Sequence, residues 1–168
     1  MPISMYQASA PVFTRMLNNL AAILEKAAAH CAEKGIDPAA LINYRFYPDM
    51  YPFSRQIQIA ADAAKNGIAN LAGTEPFQSE NVEQTFPELI ERVRKTIDFV
   101  NGFKAEQIDG SEEKDIVLKR GETTLHYKGQ EYLLNRVLPN FFFHITTAYD
   151  ILRHNGVELG KKDYIGNK

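Results

Sequence analysis

The chain has 168 residues, 45% of them apolar, and 19 Lys and Arg against 21 Asp and Glu give a net charge of −2. That length suits one domain, residues 1–168, with a sizeable core, and the composition is globular rather than disordered or membrane-spanning. No run approaches the ~20 apolar residues of a bilayer crossing, the cations form no patch suited to a phosphate backbone, and the first residues, Met1 to Tyr6, lack a signal-peptide pattern; the expectations are no membrane, no nucleic acid and a cytoplasmic location.

The first helix is expected from about Pro11 to Lys34. Phe13, Met16, Leu17, Leu20, Ile23, Leu24, Ala27 and Cys31 recur at three- and four-residue spacing and form one apolar face. Cys31, the single cysteine, lies on that face and reads as a small core hydrophobe. Gly35 stops the helix, and Asp37-Pro38 starts a short helical turn, because Asp caps and Pro fits the first helical position. Tyr44 to Pro52 is an aromatic connector in which Pro48 and Pro52 block regular structure. Its rings, Tyr47 among them, are expected to pack over the end of the helices or to wall a pocket.

The second helix is expected over Phe53 to Leu71, with Ile57, Ala60, Ala61, Ala64, Ile68 and Leu71 inward. A polar loop follows from Thr74 to Gln84. Thr85 and Glu88 then form a capping box, with Pro87 in the first turn, and the third helix turns Leu89, Ile90, Val93, Ile97 and Val100 inward before Gly102. Ile116 to Lys119 and Thr123 to Tyr127 flank Arg120-Gly121 and fit a small β-hairpin. An isolated hairpin is marginal in water, so this one should lie against the helices. Gly129 to Arg136 leads into the fourth helix, which ends at Asn155-Gly156, and a charged tail follows. The pattern implies an all-α four-helix bundle with a β-hairpin inserted between the third and fourth long helices.

The fourth helix carries more apolar surface than a bundle covers. With Phe141 at the centre of the inward face, Leu134, Leu138, Ile145, Ala148 and Leu152 fall within about 60°, while Phe143 lies about 160° away. Phe143 therefore needs other cover, either the hairpin or a second copy of the chain in a homodimer. Asn140 and His144, one turn apart with Thr147 beside them, form a polar strip at the margin of the core, and buried polar groups need partners. Those partners are other side chains, a small-molecule ligand or a metal ion, which bundles bind through inward-facing side chains of facing helices. On the second helix Gln58 sits at the edge of the apolar face; Asp62 sits nearly opposite its centre, where solvent or Arg55 would satisfy it.

Met5 to Phe13, Asp49 to Gln58, Gln107 to Glu112, Leu138 to Ala148 and His154 to Gly160 together resemble a family of uncharacterised bacterial proteins within the DinB-like superfamily of four-helix bundles. The resemblance implies the DinB-like fold. Members of that superfamily include metal-dependent enzymes that use low-molecular-weight thiols, and hydrolases, built on a three-histidine site with one His from the second helix and a His-x-x-x-His pair from the last. The matching pair here is Asn140 and His144, and no histidine occurs in the second helix, where Gln58 or Asp62 is the nearest candidate. Three functions are compatible with these residues. One is a bundle that binds a small molecule or partner near His144, Asn140, Gln58, Arg55 and Tyr47. Another is a metal-dependent transferase or hydrolase with zinc, nickel or iron on His144, Asn140 and Asp62. The last is a homodimer without ligand.

Overall fold

The computed structural model describes residues 2–166. The first long helix, α1, is Ala10–Lys34; a short α2, Pro38–Ile42, follows, and Asp37 caps it by accepting from the Ala39 N–H at 3.0 Å. The second long helix, α3, is Phe53–Ala72, and the third, α4, is Phe86–Asn101, opened by the capping box of Thr85 and Glu88. A helical turn, α5 (Ala105–Ile108), leads to the strands β1 (Asp115–Arg120) and β2 (Thr123–Lys128). The chain then stays helical through α6 (Gly129–Tyr132), a wide π-type turn (Leu133–Val137) and α7 (Leu138–His154), and closes with α8 (Lys161–Ile165).

The four long helices share one core. α1 packs on α4, α4 on α3, and α3 on α7. Phe13 and Phe141 close the ring, edge to face at 5.1 Å between centroids. The expected inward residues of α1 and α3 are buried, and so are Leu89, Val93, Ile97 and Val100 of α4; Ile90 is half-buried. This is the four-helix bundle with an inserted hairpin that the sequence implies. The tail is more ordered than its composition suggests. α8 lies along α1, where Lys26 pairs with Asp163 at 2.7 Å and Asn19 Nδ2 donates to the Tyr164 carbonyl at 2.9 Å.

The hairpin is antiparallel with Arg120 opposite Thr123, so its two-residue turn is Gly121-Glu122, one position later than expected. It lies against the helices through Ile116, which is buried, and through Tyr127, whose ring sits tilted against Tyr132 at 5.9 Å between centroids. Gly129 makes this docking possible: a Cβ there would sit 1.9 Å from the Ser111 carbonyl oxygen. The hairpin does not cover Phe143, which is 58% exposed.

The wide turn explains why Pro139 interrupts nothing. Proline lacks an N–H and crowds the carbonyl four residues back, which ordinarily breaks a helix. Here the Leu138 N–H bonds the Leu133 carbonyl, five residues back, and the widened turn accommodates the ring. It also adds a residue that straight-helix counting ignores. Leu134, expected inward, is 46% exposed, while Leu133 and Val137 are buried.

Candidate functional site

A groove of roughly 880 Å³ runs along α3 between the 74–85 loop, the hairpin and the start of α7. Arg55, Asp62 and Asn66 line it from α3, and Arg136, Asn140 and His144 from the wide turn and α7. Its lining is mostly polar and includes the buried His144, whose titration is strongly perturbed, and this makes it the candidate site.

His144 is buried at 8% exposure, and its Nδ1 lies 2.6 Å from Gln56 Oε1. Gln56 Nε2 donates to the Tyr51 carbonyl at 2.9 Å, so the amide oxygen is the atom turned toward the imidazole. An amide oxygen only accepts; His144 Nδ1 therefore carries the proton and Nε2 keeps its lone pair. Burial, and after it the charge of Arg55, pushes the imidazole pKa down to about 4. At neutral pH His144 is an uncharged ring held in one tautomer, with Phe143 edge-on at 5.1 Å. Nε2 has no hydrogen-bond partner among the described residues, and His144 lines the groove. Asn140, one turn back, is exposed in the groove.

The structure brings His144, Asn140, Arg55 and Asp62 to one groove, but their partners differ from expectation. The polar group that meets His144 from α3 is Gln56, not Gln58. Gln58 is buried on the side of α3 toward the 74–85 loop, where it donates to Glu83 at 3.0 Å and accepts from Arg55 Nη1 at 3.2 Å. Asp62 is half-buried and is not paired with Arg55. Arg92 Nη2 reaches it at 3.0 Å, and so does Lys65 Nζ. Arg92 also donates to Glu83 at 2.8 Å and to the Glu80 carbonyl at 2.9 Å, and Lys65 donates to Ser79 Oγ at 3.0 Å. This chain of charges fastens the 74–85 loop to α3 and α4, and so builds one wall of the groove. Tyr47 lies elsewhere, 65% exposed in a shallow dent with Arg45, Phe46 and Pro48. The connector packs over the end of α7 through Tyr44 and Phe46, at 6.0 and 5.6 Å from the His154 ring. Its ring in the groove is Tyr51.

Gln56 and Arg92 are the residues that sequence reasoning missed. The signal was present: each is a polar residue beside an apolar stripe, Gln56 between Phe53 and Ala60, and Arg92 between Leu89 and Val93. A search for acidic or histidine ligands passes over both.

A metal ion on His144, Asn140 and Asp62 does not fit these side chains. His144 is the one imidazole of the groove, Asn is a weak donor to zinc, nickel or iron, and Asp62 is already held by two cations. Among the described residues no three His, Cys, Asp or Glu side chains gather as a metal ion would require.

A family model described as a domain of unknown function, DUF1993, matches residues 5–165. The chain is similar to a DinB family member protein from Shewanella denitrificans, known from a crystal structure, at 38% identity over 97% of this chain and 92% of that one, with a TM-score of 0.87. No curated protein matches it.

Proposed function

The chain belongs to the DUF1993 family of DinB-like proteins, and from that premise we propose that it binds a small molecule in the groove beside His144. One observation carries the reading: the Tyr51–Gln56–His144 relay holds a neutral imidazole in a single tautomer next to a polar groove. In this site Nε2 accepts a hydrogen bond from the ligand, Asn140 supplies an adaptable amide, and the tethered loop supplies a stiff wall. A cytoplasmic setting suits a chain whose one cysteine, Cys31, is a buried free thiol.

The test is chemical-shift mapping with a set of small polar fragments. Binding fragments are expected to perturb the amides of residues 55–66 and 136–144 together, and His144→Phe is expected to abolish the response. Fragments that bind only at the aromatic connector, or an unchanged response in His144→Phe, would refute the proposal.

A homodimer through Phe143 is a second reading. The observation in its favour is that this large ring stays exposed once the hairpin is in place.

A further inference from the structure

Binding a small molecule does not by itself require the charge pattern of this groove. Arg55 on α3 and Arg136 in the wide turn both line it, together with Asn140 and His144. Both arginines are half-buried, and neither has a carboxylate partner among the described residues. Each lies instead on a tyrosine ring. Arg55 Cζ is 5.8 Å from the centre of Tyr51, and Arg136 Cζ is 6.0 Å from the centre of Tyr127. An aromatic face orients a guanidinium without consuming its N–H donors, and Arg55 gives up only one, to Gln58. Lys119, exposed on β1, adds a third cation at the rim. The groove also holds two carboxylates. Asp62 is neutralised by Arg92 and Lys65, and Glu75 is exposed on the loop. The positive groups left over are pre-oriented and short of acceptors, which is how proteins prepare to receive carboxylates and phosphates.

We propose that the ligand of this groove carries an anionic group, carboxylate or phosphate, held by Arg55 and Arg136, beside a hydroxyl that donates to His144 Nε2. The inference rests on the small-molecule reading above and narrows it to a chemical class. No bond is made or broken; the recognition is two charge-assisted contacts and one neutral hydrogen bond.

The experiment titrates three probes at constant ionic strength into protein with 15N-labelled histidine: glycolate, glycerol 3-phosphate and uncharged glycerol. At least one of the two anions is expected to shift the His144 ring signals saturably, and glycerol is expected to leave them in place. The tighter anion identifies carboxylate or phosphate as the natural group. Arg55→Gln and Arg136→Gln, checked for native circular dichroism, are each expected to weaken that anion about tenfold. Glycerol binding as well as the anions, or both variants binding the anion within twofold of the native protein, overturns the anionic assignment and leaves the groove reading intact. No shift at His144 with any probe removes both.

Discussion

Gln56 decides the chemical state of His144. Its amide is oriented by the Tyr51 carbonyl and in turn fixes the proton on Nδ1. Gln56→Leu leaves that N–H without an acceptor, which costs about 1–3 kcal/mol, or a fall in Tm of about 2–4 °C for each kcal/mol in a chain of this size. The same change lets the proton move to Nε2, so the two ring nitrogens should exchange their 15N shifts toward an even mixture; retention of the native pattern would show that Gln56 does not set the tautomer. Acid provides an independent check. The unfolded imidazole takes a proton near pH 6.5 and the folded one only near 4. Between those values the unfolded state binds more protons, so stability falls as the pH drops through this window, levels off below it, and owes nothing to this group above it. Allowing for solvent in the groove, the loss is about 2 kcal/mol. Urea midpoints at pH 7, 6, 5 and 4 should give a steeper decline for the native protein than for His144→Phe; parallel curves would contradict the depressed pKa. At this scale the sequence was half legible. His144 stood out because its helix projection placed it at the core margin, whereas Gln56 is recognisable only once a polar side chain inside an apolar stripe is treated as a partner.

The wide turn before α7 is the element on which the groove depends, because it places Arg136 and Val137 beside α3. α3 answers with Gly67, where a Cβ would lie 2.6 Å from Val137 Cγ1. Valine is stiff at χ1 and cannot swing aside without strain. Alanine at position 67 improves helix propensity by about 1 kcal/mol, but overpacking costs about 1–3 kcal/mol. Gly67→Ala is therefore expected to destabilise the protein by about 1 kcal/mol. In a Val137→Ala background, where the clash is gone, the same change should be stabilising by a similar amount. A double-mutant cycle by urea denaturation measures the difference; equal effects in the two backgrounds would mean that the close approach is not what holds Gly67 in place. The long helices were legible because their apolar periods run unbroken between caps: the capping box at Thr85 and Glu88 marks α4 to the residue. The π turn was not. It depends on how Pro139 is accommodated in three dimensions, and the 100° projection that assumes a straight helix puts Leu134 on the wrong face for that reason.

At the scale of the whole molecule, the bundle supplies the frame and the irregular parts supply the site. α3 and α7 form the floor of the groove, while the loop tied down by Asp62, Glu83, Lys65 and Arg92 and the hairpin docked at Gly129 form its walls. The frame follows from local patterns, but the walls follow from contacts between segments far apart in sequence, so the fold was readable and the partners within the groove were not. The same assembly leaves Phe143 bare, edge-on to the His144 ring. A large ring left exposed once the hairpin is docked elsewhere is where a contact with a second copy is proposed. The native chain is therefore expected to run as a dimer in light scattering coupled to gel filtration, and Phe143→Ser as a monomer with unchanged circular dichroism. Phe143→Ser should also keep the Gln56-bound tautomer of His144, because the Phe143 ring lies edge-on to the imidazole without bonding to it. A native chain that is monomeric at hundreds of micromolar would remove the dimer.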